Sequence, residues 1–168
     1  MKSNLERTLV LLKPDAINRG LIGEILNRFE KTGLKIVGLK LVWSDKDTAL
    51  KHYNEDLAER RGKKVRNLMV NMITSGPVLA IAIEGVESIE IVRKMVGETE
   101  PKSAAPGTIR GDYAHVSFKY ADSKNSAVFN LIHASSDNKD AELEIGLWFQ
   151  DFELQDYKSD HTKYTTLN

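Results

Sequence analysis

Pro77-Val78-Leu79-Ala80-Ile81-Ala82-Ile83 decides the fold. A strand with one wet face alternates apolar and polar residues, whereas this run is apolar at every position. It therefore reads as a strand covered on both faces and central in its sheet. Upstream, residues 46–74 are helical in composition with an interruption around Gly62. Leu34 to Trp43 alternates partially, with Leu34, Ile36 and Gly38 set against Lys35, Val37 and Leu39, and predicts another strand. Arg19-Gly20 opens a helix whose Leu21, Ile22, Ile25, Leu26 and Phe29 form one apolar stripe. Gly33 ends that helix in a left-handed position, with Lys31 favourably placed in its last turn. Residues 6–12 are apolar and partly β-branched, and predict a buried first strand.

Downstream, Ser88 is placed to cap a helix that carries Ile89, Val92 and Val96 on one face and closes at Gly97. A fourth strand leads to His133. Asp137 or Ser136 then starts a helix through Glu144 to Trp148. The order strand-helix-strand, then helix-strand-helix-strand, fits an α+β fold, a ferredoxin-like α/β sandwich whose antiparallel four-stranded sheet is covered by helices.

The 168 residues suit one domain with a sizeable core. Lys plus Arg and Asp plus Glu both number 24, so no global field recruits nucleic acid or an acidic membrane. An anionic substrate must be met by a local cluster of cations. The absence of cysteine excludes disulfides and thiolate chemistry. Met1 to Arg7 lacks the apolar core of a signal peptide, and no apolar run is long enough to span a bilayer. A cytoplasmic enzyme is the simplest expectation. No repeat, low-complexity tract or linker divides the chain.

Asn130-Leu131-Ile132-His133-Ala134-Ser135-Ser136-Asp137 puts a histidine just after a short apolar strand, with an Asn three residues before it and hydroxyls after it. Neutral imidazole is a good nucleophile near neutral pH. Alone, the octet reads more readily as a satisfied polar strand end. Three other segments change that reading. Thr8-Leu9-Val10-Leu11-Leu12-Lys13-Pro14-Asp15 is an apolar strand that delivers a lysine. Gly97-Glu98-Thr99-Glu100-Pro101 and Pro106-Gly107-Thr108-Ile109-Arg110-Gly111-Asp112 flank a loop of small residues. Glu142-Leu143-Glu144-Ile145-Gly146-Leu147-Trp148-Phe149 follows at a fixed spacing. In this order, from residue 6 to about residue 157, the chain resembles the nucleoside diphosphate kinase family.

That resemblance implies the ferredoxin-like fold for one domain over residues 1–168. It also implies transfer of the terminal phosphate of a nucleoside triphosphate, typically ATP, to a nucleoside diphosphate, with broad base tolerance. The route is ping-pong through a phosphohistidine at His133. Ser135 and Glu144 match the residues that orient its ring, and Tyr53 matches an aromatic whose hydroxyl contacts Lys13 and the phosphorylated site. Lys13 matches a contact to sugar and phosphate, Arg93 and Arg110 the phosphate-binding arginines, Thr99 a hydroxyl donor to phosphate, and Asn130 the ribose contact. Arginine suits this work because its planar fork grips two oxygens. Magnesium is expected on the nucleotide's phosphates, since it keeps waters and binds few protein ligands. No carboxylate or histidine pair has metal-ligand spacing in the sequence.

Three departures from the family stand out. Gly62-Lys63-Lys64-Val65-Arg66-Asn67 replaces a segment with a base-stacking phenylalanine, so Val65 takes that position with Met69 as a second apolar contact, and Lys63 is a candidate for an inner-phosphate contact. Ala134 stands where most members carry glycine. An insertion within 113–129 lengthens the hairpin or loop before the catalytic strand. Residues 149–168 resemble the tails of hexameric members and predict a surface arm ordered by a neighbour, hence a homo-oligomer, hexamer or tetramer. Two other functions remain conceivable on these residues: a catalytically weak nucleotide-binding or regulatory protein on the same fold, and a nucleic-acid-binding module. The first would have lost the nucleophile or an arginine. The second wants exposed sheet aromatics and a basic surface, and the neutral charge balance argues against it.

Overall fold

In the computed structural model, which describes residues 4–166, the apolar run is the core of β3 (Pro77–Val86), buried from Val78 to Glu84. It pairs antiparallel with β1 (Leu5–Leu12) on one side and β2 (Lys35–Trp43) on the other. β4 (Ile132–Ala134) adds to the far edge of β1, which gives the order β2-β3-β1-β4. α1 (Pro14–Asn18) and α2 (Ile22–Lys31) join β1 to β2. α3 (Lys46–His52), α4 (Glu55–Arg61) and α5 (Lys63–Ile73) join β2 to β3. Between β3 and β4 lie α6 (Ser88–Val96), α7 (Ile109–Tyr113) and α8 (Phe118–Ser123), and after β4 come α9 (Asn138–Trp148) and α10 (Thr162–Thr165). The fold is the expected antiparallel α+β sandwich.

The alternation of side chains along β1 and β3 builds two cores. Val10, Leu12, Leu79, Ile81 and Ile83 face α2 and α6, against Ile25, Phe29, Val92 and Val96. Leu9, Leu11, Val78, Ala80 and Ala82 face the other way, against Ala49, Tyr53, Val70, Ile73, Trp148 and Phe149. Both faces of the central strands are dry, which is why their sequences lack a polar alternation.

Several local expectations change. The helical stretch 46–74 breaks twice, because Asn54 caps α4 through its side chain to the Asp56 amide (3.1 Å) before the break at Gly62. Ser88 does not cap α6: its hydroxyl donates to the Glu6 carbonyl (2.9 Å), and Glu87, at φ 51°, precedes the helix. His133 lies within β4, opposite Leu11, and not after it. Residues 113–129, expected to lengthen a hairpin or loop, contain α8, whose first amide, on Phe118, donates to Glu100 Oε1 (2.8 Å). The C-terminal segment contacts its own chain at β2. The Gln155 amide donates to the Val37 carbonyl (2.7 Å) at a bulge in β2, and the Tyr157 hydroxyl donates to the Ile36 carbonyl (3.0 Å). Residues 167 and 168 of that arm lie outside the described residues.

Gly97 ends α6 at φ 84°, and a Cβ there would stand 2.5 Å from the Thr108 hydroxyl that caps α7. Gly62 is equally left-handed (φ 89°) but has nothing within 4 Å. Gly62→Ala is expected to cost about 1 kcal/mol through backbone strain alone. Gly97→Ala should cost roughly 1–3 kcal/mol more, because the added methyl overpacks its site. Urea unfolding of both variants measures the difference, and equal losses would rule out the clash.

Candidate active site

The site is assembled by a tight turn at Asn130-Leu131-Ile132. Leu131 sits at φ 70°, and the Ile132 amide donates back to the Asn130 carbonyl (2.8 Å). Remote parts of the chain hold this turn. The Lys13 amide donates to the Leu131 carbonyl (2.8 Å), and the Leu131 amide donates to Asp15 Oδ2 (2.9 Å). Arg110, nearly buried, donates from Nε to the Asn130 carbonyl (3.2 Å) and from its terminal nitrogens to the carbonyls of Ile132 (2.6 Å) and Gly97 (2.9 Å). Three of its N–H groups are thus committed to backbone, leaving two for a ligand.

One residue beyond the turn, His133 is oriented by α9. Its Nε2 lies 2.9 Å from both oxygens of Glu144, and the Ser135 hydroxyl donates to Glu144 Oε2 (2.6 Å). Glu144 reaches back because α9 packs against β1, so it is not a solvated helix glutamate. A carboxylate accepts, so this contact puts the proton of the neutral ring on Nε2 and leaves the lone pair on Nδ1. Beneath lies His52, its side chain fully buried and its ring edge-on to His133 with centroids 4.5 Å apart. His52 Nδ1 accepts from the Trp148 indole (3.4 Å). Burial, and then the nearness of His133 and Lys13, holds the His52 imidazole well below its ordinary pKa, so it is neutral.

These groups open onto a cleft of about 1090 Å³, large enough for a nucleotide. Lys13, Arg60, Arg61, Arg93 and Arg110 line it, together with Thr99, Asn130 and His133. Lys13 is almost wholly buried, and its ammonium donates to Asn130 Oδ1 (2.7 Å), while the Asn130 amide donates to the Thr99 carbonyl (2.8 Å). Burial and the charge of Arg110 bring Lys13 down to about 7. Burial and the charge of Arg93 bring Arg110 down to about 10, still cationic at neutral pH. Two buried cations with little protein counter-charge make a site poised for anions.

Comparison with known proteins fits this geometry. The family model for nucleoside diphosphate kinase matches residues 6–154. The chain belongs to the nucleoside diphosphate kinase family. A nucleoside diphosphate kinase of Borreliella burgdorferi is 48% identical over 93% of this chain and 94% of the relative. One of Pyrococcus furiosus is 48% identical over 92% and 89%. A Borrelia burgdorferi kinase solved as a transition-state mimic with vanadate and ADP superposes with a TM-score of 0.95 at 46% identity, covering 96% of this chain and 97% of the other. A Halobacterium salinarum kinase in complex with CDP superposes at 0.81, with 43% identity over 95% and 97%.

The family positions read from the sequence border this cleft, except Ser135, which stands behind Glu144, and Lys63. Val65 and Met69 form its apolar wall with Leu57 and Leu68. The Tyr53 hydroxyl, however, makes no hydrogen bond; Lys13 bonds Asn130 instead. Burial, followed by the charges of Glu144 and Asp15, raises that phenol's pKa, so it stays protonated. Lys63 is exposed and does not line the cleft, whereas Arg60 and Arg61 do, one turn earlier at the end of α4. Sequence reasoning missed His52, Asp15 and Trp148. His52 stood beside Tyr53 in a stretch that read only as helical in composition, and Asp15 only closed the quoted run from Thr8. The segment 113–129 also reaches the cleft, through Phe118, Asp122 and Val128.

The depressed Lys13 ammonium has a measurable consequence. Near pH 6 both folded and unfolded chains hold its proton, and the full burial penalty applies. Between about pH 7 and 10 the folded state has released the proton while the unfolded state keeps it, so stability contributed by this group rises with pH. The stability of the wild type relative to Lys13→Met should therefore increase across that window. Urea unfolding of both proteins at several pH values checks this, and a constant gap would refute the buried-cation account.

Proposed function

We propose that His133 carries the phosphate in a ping-pong reaction, from a nucleoside triphosphate, typically ATP, to a nucleoside diphosphate. The observation that supports this best is the contact of His133 Nε2 with Glu144, which leaves Nδ1 as the nucleophilic nitrogen. Nδ1 attacks the terminal phosphorus, the bond from phosphorus to the bridging oxygen breaks, and the diphosphate leaves with those electrons. Glu144, itself held by Ser135, balances the positive charge that develops on the ring. The second half-reaction runs the same path backwards, with a new diphosphate taking the phosphoryl group.

Lys13, Arg93, Arg110 and Thr99 spread the charge on the non-bridging oxygens, the main electrostatic need of phosphoryl transfer. Asn130 and Lys13 hold the sugar, Val65 and Met69 pack the base, and Tyr53 offers its free hydroxyl to the phosphorylated site. A base held mainly by apolar contact is read loosely, which supports broad tolerance. Mg2+ is proposed as the cofactor, carried on the phosphates with waters and neutralising their charge. That reading is supported by Lys13, Arg93, Arg110 and Thr99 lining the cleft, where they would receive the phosphates that carry the cation.

We also read residues 1–168 as one domain and the protein as a cytoplasmic homo-oligomer, hexamer or tetramer, with neither nucleic acid nor membrane as a partner. Exposed Leu39, Leu41 and Trp43 on β2 support self-association, since contiguous apolar surface on an edge strand favours a partner. Among the described residues no helix is long and apolar enough to cross a membrane.

Protein incubated with Mg2+ and ATP labelled on its terminal phosphate should acquire acid-labile, alkali-stable label that chases onto GDP and CDP. His133→Ala should take up none; near-normal turnover by that variant would sink the mechanism, and nucleotide binding without any label in the wild type would leave a binding protein. Val65→Phe should tighten nucleotide binding by roughly threefold to tenfold through added stacking. Unchanged or weaker affinity in calorimetry would remove Val65 from the base site.

A further inference from the structure

We propose that His52, His133 and Glu144 form a site for a borderline divalent transition cation such as Zn2+, which silences His133 while it is bound. The inhibitory consequence rests on the reading of His133 as the nucleophile; the site itself does not.

The three side chains come from α3, β4 and α9 and converge at the floor of the cleft. Glu144 Oε1 lies 2.9 Å from His133 Nε2 and 3.7 Å from His52 Nδ1, and one donor atom from each residue falls within 4.8 Å of the others. Ligands at about 2.0–2.1 Å from a tetrahedral zinc stand about 3.3 Å apart, so the two short edges bracket the required spacing. Two imidazoles and a carboxylate are a donor set that zinc takes readily. Magnesium prefers six oxygens and keeps its waters, so the nucleotide's own metal does not compete for this corner.

The protonation states suit the cation as well. A metal needs neutral imidazole, and burial keeps His52 neutral. Its Nδ1 lone pair accepts only a long bond from the Trp148 indole (3.4 Å), while its Nε2 is buried without a hydrogen-bond partner. The ring is thus held in place but poorly satisfied, and exchanging the indole contact for a metal bond gives up little. Ser135 occupies Glu144 Oε2 and leaves Oε1 for the cation, the usual way an outer group orients a ligating carboxylate.

Binding moves one proton. In the free protein His133 carries it on Nε2, facing Glu144. The cation takes the Nε2 lone pair, and the proton relocates to Nδ1, so none is released. Nδ1, the nitrogen proposed above as the nucleophile, then has no lone pair to attack with. The same Glu144 that prepares the nucleophile therefore completes the trap.

Zn2+ would be titrated into the full-length, nucleotide-free protein against a chromophoric chelator, with imidazole 15N spectra followed in parallel. The expected result is one equivalent bound, with the nitrogens of His52 and His133 shifting and those of His115 and His161 unmoved. His52→Gln should weaken binding by about tenfold or more. Labelling from ATP in excess Mg2+ should be blocked by Zn2+ in the wild type and return on chelation. Absence of stoichiometric binding, shifts confined to His115 or His161, or equal inhibition of wild type and His52→Gln would each overturn the site. The spectra of the wild type decide the matter even if His52→Gln fails to fold. Label that never appears without zinc would instead remove His133 as the nucleophile, and the binding measurements would still decide the metal site.

Discussion

The left-handed Leu131 is the constraint on which the rest of the site depends. A leucine at φ 70° costs on the order of 1–3 kcal/mol in backbone strain. Its side chain is completely buried in the core beneath α2 and α6, and burial of that size contributes about 1.5–3 kcal/mol. The two effects are comparable, which explains how leucine can stand where glycine would relax the backbone. What tips the balance is the set of bonds around the turn. The Arg110 guanidinium ties the Asn130 and Ile132 carbonyls to Gly97, and Lys13 and Asp15 hold both backbone groups of Leu131 from the end of β1. The distortion turns the Asn130 amide towards Lys13 and lets His133 enter β4 one residue later. Arg110 consequently positions the strand that carries His133 and still has two uncommitted N–H groups.

The fold was legible from the central strand because burial on both faces leaves a trace no surface strand has. β1 and β3 read correctly for this reason, as did α2, whose apolar stripe and terminal Gly33 are both local signals. What was not legible depends on contacts distant in sequence. Ser88 is a good cap by composition, yet the Glu6 carbonyl across the sheet takes its hydroxyl. The C-terminal segment looks like a polar arm, but a bulge at Val37 frees a carbonyl that pairs with Gln155. Lys63, exposed at the start of α5, lies outside the cleft, whereas Arg60 and Arg61 at the end of α4 line it, a difference set by where the helix begun at Asn54 ends.

The site was legible as a set of residue types but not as a set of bonds. Motif order identified His133, Glu144, Lys13 and Asn130, since each lies in a segment with its own pattern. The layer beneath them was invisible. His52 is separated from His133 by much of the chain, and only the packing of α3 and α9 on one face of the sheet stacks the two rings. Trp148 is the link, filling that core with its benzenoid edge while its N–H fixes the imidazole below the nucleophile.

The electrostatics follow from the same geometry. The chain has no net charge, yet its cleft concentrates cations, and Lys13 is buried against a neutral amide instead of a carboxylate. Of the nearest acid, Asp15, one oxygen is occupied by the Leu131 amide and the other is buried without a hydrogen-bond partner. Such a cluster is unfavourable while empty, as the displaced protonation of Lys13 registers. A bound anion would supply the missing negative charge. The protein thus bears an electrostatic cost at Lys13, and the clamped Leu131 turn fixes Asn130, the partner of that ammonium, in place.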